Sequence, residues 1–388
     1  MLRWRETFVV CLLLWWAAAA RAQSAENNLW FVRSGAAPAI ILPANPFAAG
    51  ATAPIHLAPN ITLELGRRTD GTSAWHKLYG SPSYGFGLSL VRLPNSGENR
   101  RPVEAYTFFS WPFVRLSDRT QVTTDFGMGL SWRWKHRDDK TAEYENVLSS
   151  NLNAFLDWGF YVRYLSTPRL ALYTGIDYTH RSNAGIVQPD LGINVIGPKV
   201  ALQFNFADED GSSTHAVKPP FQPAWEFVVG GMGGLKSVIE QRDPIVRANA
   251  QTFDVTAALQ RHFYLFGKFA GGADVAHDSA RRPYVDGVDT TVLAGTGQPW
   301  GIGVYGGYEH VIARFSVLLH VGVNAVRTFA DSDTRRLYTR YGWRYQLGRH
   351  AWSSLSIRAH GFRKANALEF GMGYRFERAD TNPRPASP

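Results

Sequence analysis

Val122-Thr123-Thr124-Asp125-Phe126-Gly127-Met128-Gly129-Leu130-Ser131-Trp132-Arg133-Trp134-Lys135 alternates without a break. One side carries Val122, Thr124, Phe126, Met128, Leu130, Trp132 and Trp134. The other carries Thr123, Asp125, Gly127, Gly129, Ser131, Arg133 and Lys135. A period of two puts each set on its own face of a strand. The last strand repeats the pattern, with Leu368, Phe370, Met372, Tyr374 and Phe376 set against Glu369, Gly371, Gly373 and Arg375. A soluble sandwich also alternates, so length decides between the two. Several of these segments run roughly 10–15 residues, against about 5–6 in soluble sheets and about 9–11 for a membrane-spanning strand. Aromatics near the ends of the apolar faces match the girdles of a transmembrane barrel.

The joints between segments alternate in length. Those at 116–120, 166–169, 261–264, 312–314 and 347–350 are short; those at 94–102, 137–149, 181–191, 236–249 and 278–298 are long. Short turns at one end and long loops at the other are the pattern of an up-and-down antiparallel barrel. With the aromatic end at Phe376 on the periplasmic side, loop 181–191 falls outside. Joints 68–82 and 207–221 are long, yet fall on the short-turn side. The count is about sixteen strands, and a single barrel of that size is expected, with two tandem eight-stranded barrels as the alternative. In that alternative the polar joint 207–221, with Pro219 and Pro220, links a first half (23–206) to a second (222–377). Residues 378–388 read as a disordered tail.

Composition agrees. The 388 residues are 45% hydrophobic, 13% aromatic and 19% charged, which excludes a disordered chain. One cysteine excludes a disulfide scaffold, and beyond residue 20 no apolar run reaches the ~18 residues of a spanning helix. Residues 1–22 read as a signal peptide: Arg3 and Arg5, the apolar stretch Phe8–Ala20, then Ala20-Arg21-Ala22 before Gln23. Cys11 leaves with it. Removing three Arg and one Glu lowers the formal charge from +9 to +7. A basic envelope protein favours an anionic partner, and with no nucleic-acid motif present a lipid headgroup is the expected one.

One constellation carries chemistry. On segment 170–183 the apolar face Leu170, Leu172, Thr174, Ile176, Tyr178 continues into His180 and Ser182. After the 181–191 loop, Asn194 opens the outward face of the next strand, with Ile196, Pro198, Val200, Leu202 and Phe204. A histidine, a hydroxyl and an amide thus share the lipid-facing side at one rim. An imidazole two residues from a hydroxyl on one strand face is placed to take its proton. Asn194 is the candidate to orient the ring, and Asn183 with the backbone near Gly185 the candidate oxyanion donors. The same spacing also fits polar rim residues flanking a loop.

His180-Arg181-Ser182-Asn183-Ala184-Gly185-Ile186, followed by Gln188-Pro189-Asp190 and Gly192, resembles the motif of the lipid A 3-O-deacylase family of outer-membrane barrels. The resemblance covers roughly residues 30–206. It implies that His180 and Ser182 are catalytic and that Asn183 helps form the oxyanion hole. The family's third residue is a glutamate, where this chain has Asn194; Asp190 is a possible substitute acid from the loop. Longer relatives, the acyloxyacyl hydrolases, are similar through the C-terminal half as well. Trp75-His76-Lys77-Leu78-Tyr79 and Ser83-Tyr84-Gly85-Phe86-Gly87 resemble their pattern.

The resemblance implies an outer-membrane serine esterase that removes a 3-O-linked acyl chain from lipid A (lipopolysaccharide) in the outer leaflet, with no cofactor and no metal. Two rivals remain. Lumen-facing Arg133, Arg163, Lys199, Arg358 and Arg375 suit a porin-like anion channel, and Asn194 suits a catalytically silent structural barrel. His136 with Asp138 and Asp139 reads as a solvated loop or a weak metal site. Arg281 and Arg282, with Lys135, Arg137 and Lys140, read as lipid-phosphate contacts or ordinary surface charge. Oligomeric state is not legible.

Overall fold

The computed structural model describes residues 29–42, 57–92, 101–134, 148, 150–187, 190, 192–209, 221–240, 246–278, 300–326, 336–362 and 364–377. The signal peptide, the 378–388 tail, His136, Asp138, Asp139 and the Lys135, Arg137, Lys140, Arg281 and Arg282 group lie outside them.

The strands close into two barrels, not one. The N-terminal barrel uses β1 (Trp30–Ala37), β3 (Asn60–Arg68), β4 (Ser83–Val91), β5 (Val103–Arg115), β6 (Thr120–Trp132), β7 (Asn153–Thr167), β8 (Leu170–Ser182) and β9 (Ile193–Asn205). Each strand pairs with the next, and β9 returns to pair antiparallel with β1. A short strand, β2 (Ile40–Leu42), continues along β9 beyond β1, with Leu42 opposite Asn194. The C-terminal barrel runs β10 (Trp225–Glu240), β11 (Val246–Tyr264), β12 (Gly267–Asp278), β13 (Trp300–Ile312), β14 (Phe315–Val326), β15 (Leu337–Gln346), β16 (Ala351–His360) and β17 (Lys364–Glu377). It closes where β17 meets β10, Phe376 opposite Phe227. The single sixteen-stranded barrel is therefore replaced by the tandem arrangement. Alternation along a strand is identical in both cases, and the long-range closing pairs β1–β9 and β10–β17 tell them apart.

Eight strands leave an interior just wide enough for side chains to fill. Large residues fill it against glycines: a Cβ on Gly87 would lie 2.3 Å from the Tyr106 ring, and one on Gly322 2.4 Å from the Tyr338 ring. Buried ion pairs fill the rest. In the first barrel Arg33 pairs with Glu64 and Asp125, and Lys199 with Asp177 at 3.0 Å. In the second, Arg340 holds Asp254, Asp274 and Glu369 at 2.7, 2.9 and 2.7 Å, and Arg344 holds Glu309 at 2.7 Å. This corrects the channel reading. Arg163, Lys199, Arg358 and Arg375 are paired with Glu209, Asp177, Asp254 and Glu226. Arg133 lies past the end of β6, exposed, with φ +74°. The outward faces are apolar and exposed, with Phe86, Ile176 and Leu202 on one barrel and Phe269, Val304 and Phe370 on the other. They form the lipid-facing band of a transmembrane barrel.

The short turns fall as the sequence indicates. At 116–119 the Ser117 hydroxyl accepts the Thr120 N–H at 3.0 Å, and at 168–169 the Thr167 hydroxyl accepts the Leu170 N–H at 3.0 Å. The long joint between β3 and β4 is folded at the same end. It carries a short helix, α1 (Ala74–Leu78), and Tyr79, which is buried edge-on against Phe109 and Trp111. Asp70 accepts the Thr72 hydroxyl at 2.6 Å and the Thr72 N–H at 3.0 Å, which holds its carboxyl at about 2.

Removing one member of a buried ion network strands the others, at a cost of about 3–5 kcal/mol. Arg340→Met leaves three lumen carboxylates without their shared cation. Its urea midpoint in detergent, followed by heat-modifiable gel mobility, should fall by that equivalent, whereas Arg169→Met, at an exposed pair with Asp208, should leave it within experimental scatter.

Candidate active site

The site is built from the inside outward. On β8 the odd positions Ala171, Tyr173, Asp177, Thr179 and Arg181 are buried in the lumen. Arg181 has no exposed surface; its Nε donates to Glu104 at 2.9 Å and its Nη1 to Thr179 at 2.6 Å. With Arg181 committed inward, the pleat turns its neighbours His180 and Ser182 to the opposite face, where His180 is half-buried and Ser182 is buried, 9% exposed.

Asn194 stands directly opposite His180 in the β8–β9 ladder. Its Oδ1 lies 2.7 Å from His180 Nδ1 and accepts the Tyr178 hydroxyl, also at 2.7 Å. An amide oxygen only accepts, so Nδ1 carries the ring proton and Nε2 is left with its lone pair. Tyr178, which the sequence reading placed among the apolar residues, is thus part of the arrangement. Its position two residues before His180 on the same face was the available signal.

Beyond Ser182 the chain turns sharply. Ala184 and Gly185 both have positive φ, +59° and +81°. Asn183 braces the turn with its side chain: Nδ2 donates to the Val187 carbonyl at 2.8 Å, and Oδ1 accepts the Val187 N–H at 3.1 Å. The Asn183 side chain is therefore spent on the loop, and what residues 183 and 185 offer is backbone N–H. Both of these donate to one atom, Oδ2 of Asp190, at 3.1 and 3.0 Å. Asp190 sits on those donors, while the ring nitrogen that a third member must hold is taken by Asn194.

Each barrel carries the match to one family model. Residues 61–203 match the model described as lipid A 3-O-deacylase (PagL), and residues 223–378 the one described as acyloxyacyl hydrolase, C-terminal domain. The chain belongs to the lipid A 3-O-deacylase and acyloxyacyl hydrolase family. The deacylase match contains His180, Ser182 and Asn194. Among solved structures the chain is similar to the crystal structure of the outer membrane enzyme PagL, at 17% identity over 45% of this chain and 98% of that one, TM-score 0.31. It is similar to Neisserial surface protein A at 11% identity, 45% and 96% coverage and TM-score 0.30. A mutant of Rh. blastica porin follows at 10% identity, 89% and 98% coverage and TM-score 0.17. Scores this low carry no functional argument, and the family models make the assignment. No curated protein matches.

The geometry predicts a single imidazole tautomer. In ¹⁵N spectra of the folded deacylase-family chain, His180 should read as Nδ1-protonated at neutral pH. Asn194→Leu should convert it to a mixture of tautomers, and Tyr178→Phe should give an intermediate spectrum.

Proposed function

We propose that the protein is an outer-membrane serine esterase that hydrolyses a 3-O-linked acyl chain of lipid A in the outer leaflet. The observation that carries this reading is the His180–Asn194 pair, in register and 2.7 Å apart, on the lipid-facing wall beside Ser182. An ester buried among acyl chains is reached from the outside of the barrel, where these three residues stand, and not from the filled lumen. Family membership supports the substrate class, and the basic character of the chain suits a phosphorylated headgroup.

In this mechanism His180 Nε2 takes the Ser182 hydroxyl proton as the oxygen attacks the ester carbonyl. The negative oxygen of the tetrahedral intermediate is received by the N–H groups of Asn183 and Gly185. The imidazolium then protonates the departing sugar oxygen, leaving an acyl-serine. Water, deprotonated by the same nitrogen, releases the fatty acid and restores the serine. Asn194 holds the ring throughout by hydrogen bonding, without supplying charge. The route needs neither a metal nor an organic cofactor.

Ser182→Ala should abolish acyl release from lipid A vesicles, a loss of about 10³-fold or more by mass spectrometry, in a barrel that remains heat-modifiable. Asn194→Glu places a carboxylate behind the imidazolium and should keep or raise the rate, whereas Asn194→Leu should lower it. Unchanged release by a folded Ser182→Ala protein would refute the assignment.

A further inference from the structure

Asp190 accepts two backbone N–H groups on a single oxygen, and those groups belong to the first and third residues after Ser182. Their lengths, 3.1 and 3.0 Å, fall in the range that stabilises a developing oxyanion, about 2.7–3.1 Å. The positive φ values of Ala184 and Gly185 curl the chain around that point, as in the anion-holding nests of other turns. Asp190 is itself tied by a bridge to Leu148. The position prepared for a negative oxygen is therefore filled by one that the chain supplies.

We infer that the Asp190 carboxylate is the resident occupant of the oxyanion position, so that the acid of this site sits on the backbone donors instead of behind the histidine, and a reacting ester must displace it. This rests on the reading of Ser182 as nucleophile. One pair of N–H donors serves one anionic oxygen at a time, and a second anion brought beside the first is repelled. Hydrogen bonds to a carboxylate are about twice as strong as neutral ones, so the occupant competes well with a neutral carbonyl oxygen and raises the barrier to acylation. Other bonds also hold the turn. The two Asn183–Val187 bonds and the Ile186 N–H to the Asn183 carbonyl, at 3.2 Å, remain when the carboxylate is removed.

The test uses the full chain folded in detergent as wild type, Asp190→Asn, Asp190→Ala and Ser182→Ala, with decyl fluorophosphonate as probe. Ser182 Oγ forms a bond to phosphorus, fluoride leaves with the P–F electron pair, and the serine proton goes to His180. Labelling should quicken about tenfold in Asp190→Asn and further in Asp190→Ala, and should vanish in Ser182→Ala. The amide protons of Asn183 and Gly185 should move upfield in Asp190→Ala. Folded Asp190 variants that label no faster than wild type, with those amide shifts unchanged, would overturn the inference. Faster labelling in the variants with no acyl release from lipid A in any preparation would keep the occupant and remove the lipid A reading. Equal acyl release by wild type and Asp190→Ala would keep the lipid A reading and remove the occupant.

Discussion

Arg181 spends its guanidinium on Glu104 and Thr179 inside the N-terminal barrel, and the placement of His180 and Ser182 on the other face of the wall depends on that commitment. A strand has two faces and no third choice. With residue 181 inside, residues 180 and 182 are outside, and a slip of one position would exchange them. Such a slip would carry an arginine to the lipid face, at about 2–4 kcal/mol near the bilayer centre and less at the rim, and would leave Glu104 buried alone. The ion pair therefore acts as a parity lock.

The site that results has its charges in an unusual order. A histidine that accepts a proton from serine becomes a cation in low-dielectric surroundings, and a carboxylate behind it offsets that charge. Here the partner is an amide, which fixes the tautomer and the ring plane but contributes only a dipole. The nearby acid, Asp190, sits on the Asn183 and Gly185 N–H groups, the donors that the proposed mechanism assigns to the intermediate. Both departures act on the same step, the build-up of opposite charges on the imidazole and the carbonyl oxygen. On the proposed function, they restrain an esterase geometry.

Much of this was legible in the sequence, for local reasons. Alternation from Val122 to Trp132 gives the strand, its faces and its setting, because side-chain direction on a strand is decided within a few residues. The same logic puts His180 and Asn194 on one face, and the ladder sets them opposite each other. The closure of the barrel was not legible. Strands in barrels of eight and of sixteen carry the same pattern, and the pairing of Phe31 with Asn205 joins residues far apart in the chain. Charge on the inner faces suggested a channel for the same reason: the sequence shows Lys199 and Arg358 but not that Asp177 and Asp254 stand across from them. The loop is legible only in part. Asn183 has the right side chain for an oxyanion donor, but the positive φ of the two residues after it turns that side chain onto Val187.

The seam of the N-terminal barrel adds a consequence in time. β9 is bordered on one edge by β8, which carries His180 and Ser182, and on the other by β1 and β2, with Leu42 opposite Asn194. β9 is the last strand of this barrel to leave the ribosome and the one on which closure depends. Until β1 and β2 dock against it, one edge of the strand bearing Asn194 has unpaired backbone groups, and an edge of that kind frays. The third member of the site is thus held firmly only once the wall is complete. A chain whose wall is still open would carry His180 without a fixed Asn194 and, on the proposed function, would be a poor esterase toward the lipids that it meets on the way.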